Sequence, residues 1–283
     1  MNERRSRTGL IVRYSLLILF ALVFLGPFAI QIANSFKTDA AATSNTLSLI
    51  PHPGTLSSWK QILGISTAGV TDFPRWLFNS MFVSVILTIT HVGLDSMAGY
   101  ALARLEFRGR RLVFGFIIAT LAVPNVVLLI PQFLVLKELG LFNTYQGMII
   151  PISVDAAGIY MMRQFFLQVP PALEEAARLD GASVWTTYWR VVLPIVRPGL
   201  ITLTILSFQG AWNQFAFFLV ATISPQYFTL TTGLANVVSG GLSAGNQYPL
   251  KLGAALLTTL PVGVLFFVFQ KYLNRSRLEG SLK

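Results

Sequence analysis

Long apolar runs, broken by short polar stretches, set the pattern of this chain. A helix needs about 20 mostly apolar residues to cross a hydrocarbon core roughly 30 Å thick. Six segments reach that length: 12–33, 76–103, 112–136, 146–167, 198–223 and 252–273. Strands of a membrane barrel would instead alternate apolar and polar positions over about ten residues. The runs therefore predict an all-α integral membrane protein with six transmembrane helices. Pro27 lies in the first run and Pro124 and Pro131 in the third, where a missing amide predicts kinks. Gly26, Gly93, Gly99 and Gly115 predict close helix packing.

Composition supports this reading. Hydrophobic residues make up 54% of the 283 residues and charged residues only 11%, against roughly 25% charged in an ordinary soluble domain. The net charge of +10 raises the question of nucleic acid. With the N-terminus in the cytoplasm, only Lys37, Lys60, Arg75, Lys137 and Lys251 of the 21 basic residues fall outside. The positive-inside rule thus explains the charge without nucleic acid and puts both termini in the cytoplasm. The first apolar run is longer than the 7–15 residues of a signal-peptide core, so it reads as an uncleaved span. Cysteine is absent, and His52 and His91 are the only histidines, which leaves no Cys/His zinc site and no disulfide.

The loop 168–197 stands apart from the others. Pro171 suits a first helical turn, and Glu174 and Glu175 near it favour the helix dipole. Gly181 predicts a left-handed stop, and Ser183 can cap a second short helix, 184–192, ended by Pro194. Paired alanines smooth one face of the first helix, and Trp185, Tyr188 and Trp189 make the second aromatic. Two short helices at an angle form a knuckle suited to a groove on a partner.

The spacing Glu175-Ala176-Ala177, Gly181 after three residues, then Val191 and Leu193-Pro194 resembles the EAA signature of binding-protein-dependent ABC importer permeases. With Asp180-Gly181-Ala182 it is similar to the carbohydrate-uptake branch, of the maltose-permease type. Asn79-Ser80, Tyr100-Ala101-Leu102-Ala103-Arg104, Ala211-Trp212-Asn213 and the ending Gly280-Ser281-Leu282-Lys283 carry the likeness across essentially the whole chain. The resemblance implies a single MetI-like permease domain over 1–283, in the inner membrane of a bacterial or archaeal cell. It implies that Glu174, Glu175, Ala176, Ala177, Asp180, Gly181, Ala182, Leu193 and Pro194 couple to a cytoplasmic ATPase dimer, and that a second permease and an extracytoplasmic solute-binding (lipo)protein complete the assembly. ATP and Mg would sit on the ATPase, because this chain has no G-x-x-x-x-G-K-[ST] phosphate loop. No cofactor is expected in the chain itself, and it is not expected to be an enzyme.

Polar residues at membrane depth are costly and mark candidate pathways. His91 and Asp95 are four apart and can share a helix face; a Ser, Asn or backbone partner would serve Asp95 equally. Asp155 lies in the fourth span. Trp212, Asn213 and Gln214, with Gln209, combine an indole with amides, a set suited to a sugar's ring face and hydroxyls but also to joining helices. The resemblance places this segment near the translocation route. Two other functions compete: a lipid-linked glycosyltransferase, which would want acidic pairs where the external loops hold only Asp39, Asp72 and Glu138, and a secondary transporter, which would want half-to-half similarity. The external segment 224–251 is too rich in Gly and polar residues for a seventh span. The resemblance implies a loop there that enters the binding protein's cleft; its composition also fits a plain connector.

Overall fold

The computed structural model describes residues 7–65, 72–238 and 247–280. Expectations placed on Arg4 and Arg5, on Ser239 to Asn246 and on Ser281-Leu282-Lys283 lie outside them. Among the described residues there is no strand, only an isolated bridge between Lys37 and Gly54.

The chain divides into two compact units. The first comprises the chain up to Pro74 together with Leu234–Thr259. Its helix α1 (Arg7–Ser35) is apolar all round and largely exposed, as a lipid-facing span must be, and it runs through Pro27 without a break. The polar segment after it is built around Lys37, which is fully buried. Its Nζ donates to Asn34 Oδ1 at 2.9 Å and to the carbonyls of Asn45 and Ser48 at 2.8 Å. Short helices α2 (Asp39–Ser44), capped by Thr38, and α3 (Ser57–Ile62) fold around this centre. Phe36 stacks on Trp59 with centroids 5.4 Å apart.

The second unit comprises Arg75–Gly233 with Leu260–Lys283. Helix α4 (Phe73–Arg104) is its mast, with a π turn at His91–Asp95. Next come α5 (Arg110–Leu121), α6 (Leu129–Glu138), α7 (Tyr145–Ile149), α8 (Ala156–Leu167), α9 (Pro171–Leu179), α10 (Val184–Ile195), α11 (Arg197–Trp212) and α12 (Ala216–Ala221). Helices α13 (Leu230–Val238) and α14 (Tyr248–Gly280) finish the chain. Gly99 lets α4 meet α8 closely: a Cβ there would stand 2.8 Å from that of Met162. Gly26, Gly93 and Gly115, expected to do the same, have nothing within 4 Å.

Three helices among the described residues are long and apolar enough to cross a membrane: Gly9–Ser35, Phe73–Arg104 and Tyr248–Phe269. Two bent pairs raise the number to as many as five. The third predicted span is one of them: Arg110–Leu121 and Asn125–Glu138 meet at 96°, because Pro124 is extended and ends the first helix rather than kinking it. The fourth predicted span is divided among α7, a 3-10 turn at Ile150–Ile152 and α8. In the fifth, α11 stops at Trp212 and α12 begins at Ala216.

Candidate functional site

The knuckle forms largely as its residues dictate. Pro171 opens α9, and Gly181 (φ +80°) follows it. The amides of Gly181 and Ala182 return to the carbonyls of Arg178 at 3.0 Å and Ala177 at 2.9 Å, closing the helix end. Ser183 Oγ accepts from Thr186 N at 3.2 Å and caps α10. One expectation fails: α10 does not stop at Val192. It continues to Ile195 through a π turn at Thr187–Val192, and Pro194 falls inside its last turn rather than beyond its end. Helix α11 then leaves at 82°.

The two adjacent glutamates have opposite fates. Glu175 is exposed, whereas Glu174 is buried and turned towards the end of α4. Glu174 Oε1 lies 3.0 Å from Arg104 Nε, and Oε2 accepts from the Tyr100 hydroxyl at 3.2 Å. Arg104 also donates to the carbonyls of Phe166, at 2.7 Å, and Val169, beyond the end of α8. One guanidinium thus joins α4, α8 and α9. Around it pack Tyr100, Met162, Phe166, Val169, Tyr188 and Val192. Tyr188 Oη is 2.8 Å from Ser96 Oγ, which links the π turn of α10 to the residue following the π turn of α4. Ala177 is buried and Leu193 half-buried, while Ala176, Asp180 and Pro194 are exposed. The outer face is apolar: Leu179 is 90% exposed, Trp185 59% and Trp189 49%. Of these, Trp185 and Trp189 meet edge to face, with centroids 5.7 Å apart.

The membrane-depth residues regroup. His91 and Asp95 do not pair with each other. His91 Nε2 lies 2.7 Å from Ile152 O, and Asp95 Oδ1 accepts from Asp155 N at 3.1 Å. Asp155, itself exposed, caps α8 through Oδ2, which accepts from Gly158 N at 2.9 Å. Asp95 is fully buried, so close to Gly158 that a Cβ there would lie 2.3 Å from its Oδ2. Trp212 is buried with its ring on Phe208, centroids 5.6 Å apart, so it packs against protein rather than offering a free face. Asn213 is exposed beside exposed Gln209, and Gln214 is half-buried, its carbonyl accepting from Thr231 Oγ1 at 2.8 Å.

Three residues escaped the site reading of the sequence. In the sequence, Lys37 and Arg104 stand out only as charges or motif letters. Asn79, fully buried, donates to the carbonyls of Gln226 at 2.9 Å and Phe228 at 2.8 Å and accepts from the Tyr145 hydroxyl at 2.6 Å. With Ser80 Oγ, which accepts from Leu230 N at 2.8 Å, it pins the start of the 224–251 segment onto α4. The Asn79-Ser80 pair was visible in the sequence, but its partners about 150 residues away were not.

The profile of a family described as the binding-protein-dependent transport system inner membrane component matches residues 96–278. The chain is 32% identical to the arabinooligosaccharides transport system permease protein AraQ of Halalkalibacterium halodurans, over 99% of both chains. It is 31% identical to the trehalose/maltose transport system permease protein MalG of Thermococcus litoralis, over 94% of both. Among solved structures it resembles a chain of a bacterial ABC transporter involved in import of the acidic polysaccharide alginate, at 26% identity and a TM-score of 0.82, covering 96% of this chain and 99% of that one. A chain of the MetNI methionine ABC transporter shares the fold, with a TM-score of 0.56 over 71% of this chain and 94% of that one at 18% identity. The chain is a transport subunit, not an enzyme: an all-helical, multi-pass membrane permease of MetI-like fold that belongs to the family of binding-protein-dependent transport system inner membrane components.

Proposed function

We propose that this chain is one of two permease halves of a sugar importer in the inner membrane, crossing it six times with both termini in the cytoplasm. A cytoplasmic ATPase dimer holding ATP and Mg docks on the knuckle, and an extracytoplasmic solute-binding protein delivers the substrate. The observation that carries this reading is the knuckle itself. Its outer face presents Leu179, Trp185 and Trp189, and its inner face is tied to the transmembrane helices by Glu174 and Arg104. A push on the outer face therefore reaches the ends of α4 and α8. Glu175, Ala176, Asp180, Gly181, Ala182 and Pro194 form or border the docking surface; Glu174, Ala177 and Leu193 support it from within. Sugar as the substrate class is supported by the arabinooligosaccharide and trehalose/maltose relatives. Exposed Asn213 and Gln209, at the break after α11, are the hydrogen-bonding groups assigned to the pathway, while Asp95, Asp155 and Trp212 shape its wall.

The test is Leu179→Asp in the assembled transporter. We expect it to remain in the membrane with its partner permease but to lose co-purifying ATPase and ATP-dependent uptake. Wild-type ATPase capture and uptake in this variant would refute the docking reading. Because the chain has no cysteine, topology is tested separately with single cysteines at Lys60 and Arg108. A membrane-impermeant thiol reagent should reach the first only from outside and the second only from inside. Labelling of both from one side would refute the assigned orientation.

A further inference from the structure

A second polar feature lies beside the contact between α4 and α8. A cavity of about 620 Å³ opens where the 105–109 turn meets the start of α5. Arg110, Arg111 and Arg163 line it, opposed by Glu106 alone. Arg163 is held in place: its guanidinium lies 4.1 Å from the Phe114 ring centroid, and its Nε donates to Leu102 O at 3.3 Å. That geometry leaves the two terminal nitrogens of Arg163 for a ligand. Arg110 lines the wall with its terminal nitrogens on the carbonyls of Leu105 at 3.1 Å and Ala103 at 3.5 Å, so Arg163 and exposed Arg111 are the two that can reach a ligand. None of the three is in an ion pair with a described residue. Helix α5, 12 residues long, begins after Gly109 (φ +86°) with no side chain capping it, so its first amides add to the positive field. A cavity with a positive wall and two arginines able to reach a ligand, one of them pre-oriented on an aromatic face, suits a phosphate group.

The surroundings select the source of that phosphate. Leu112, Val113 and Phe116 continue from the cavity along the exposed face of α5, an apolar strip of the kind acyl chains cover. A soluble phosphate ester has no use for this strip. We propose that the cavity binds the head-group phosphate of an anionic phospholipid whose chains lie along α5. Basic pockets between helices on the cytoplasmic side hold such head groups. The proposal rests on the orientation given under Proposed function, which puts this end of α5 in the cytoplasmic leaflet.

The experiment uses the assembled transporter in nanodiscs of phosphatidylcholine with a minor fraction of phosphatidylglycerol, released for native mass spectrometry. The wild type should retain phosphatidylglycerol over phosphatidylcholine. R111Q/R163Q should bind it roughly tenfold to thirtyfold more weakly, two basic side chains each contributing near the membrane surface. R108Q, a neighbouring basic residue outside the cavity lining, should bind as the wild type does. Equal loss in R108Q would reduce the effect to general attraction by a basic surface and overturn the proposal. So would the absence of any selectivity in the wild type. Displacement of the lipid by millimolar glycerol 3-phosphate would assign the cavity to a soluble phosphate ester and overturn it too. Substrate-stimulated ATPase is measured on the same samples. Lipid selectivity lost with coupled transport intact leaves the importer reading untouched, and loss of coupling in the wild type strikes that reading alone.

Discussion

Replacing Arg104 by methionine tests whether the knuckle is fastened to the membrane helices by charge or merely rests on them. Arg104 and Glu174 both have side chains largely out of solvent, with 11% and 6% exposed. The stabilisation is therefore not the small value typical of a surface pair. Removing one member leaves the other as an uncompensated buried charge, at a cost of about 3–5 kcal/mol. The Phe166 and Val169 carbonyls lose their donor as well. A factor of ten in an equilibrium constant corresponds to about 1.4 kcal/mol. Local opening of α9 should accordingly become more frequent by roughly two to three and a half powers of ten.

Hydrogen exchange on the assembled complex reads this directly. Amides of 173–179 in α9 should lose protection in R104M while those of α1 do not. The double variant R104M/E174M, which removes both charges and keeps the volume, should recover most of the protection, since apolar replacements of buried pairs are often neutral. ATP hydrolysis per sugar moved should rise in R104M and fall back in the double variant. Additive effects, with a coupling energy below about 0.5 kcal/mol, would refute the linkage, as would unchanged exchange in R104M.

Three further outcomes follow from other parts of the chain. Gly181→Val places a β-branched residue at φ +80° with nothing within 4 Å, so its cost of about 1–2 kcal/mol is purely conformational; substrate-stimulated ATPase should fall while membrane insertion is kept, and wild-type stimulation would refute the need for that turn. Asn213→Ala removes an exposed amide and should weaken sugar uptake by about 0.5–1.5 kcal/mol in apparent affinity without loss of assembly; equal losses in a pull-down and in uptake would make it a packing group. Lys37→Met takes the donor from three acceptors, of which the buried Asn34 Oδ1 alone costs about 1–3 kcal/mol, so limited proteolysis should cut 38–56 more readily; resistance equal to wild type would show that the segment holds without its lysine.

The sequence made the apolar runs and the grammar of the knuckle legible because both are local. Apolarity over about 20 residues needs no partner to be read, and a proline, a glycine and a serine at fixed offsets specify turns whatever surrounds them. What escaped was what depends on a partner far along the chain. Glu174 and Glu175 are equivalent to a helix-dipole argument. One step of about 100° around α9 buries the first against Arg104, 70 residues earlier, and exposes the second. Gly99 and Gly93 look alike until Met162 arrives opposite one of them. Window-averaged hydropathy also passes over the breaks in the third, fourth and fifth predicted spans, because the residues at them are mostly apolar and only the backbone changes course.

Those breaks explain where the polar residues went. Non-helical backbone at membrane depth persists only where protein or a water-filled cavity receives its polar groups. The break before α8 frees the carbonyl of Ile152 and the amide of Asp155, and these are the groups met by His91 and Asp95. The π turn spanning His91–Asp95 lies where α4 faces that break, and each of the two residues meets a backbone group there rather than the other. His91 Nε2 and Asp95 Oδ1 are thus committed to the fold, whereas Asp95 Oδ2 is buried without a hydrogen-bond partner. At the break after α11 the balance differs. Asn213 N returns to Gln209 O at 3.1 Å, and Thr231 takes up the Gln214 carbonyl, yet the side-chain amides of Gln209 and Asn213 remain exposed. This break therefore keeps two side-chain amides exposed. In a membrane such groups need a second subunit or a hydrophilic solute to receive them, which is the part given to them in the pathway proposed above.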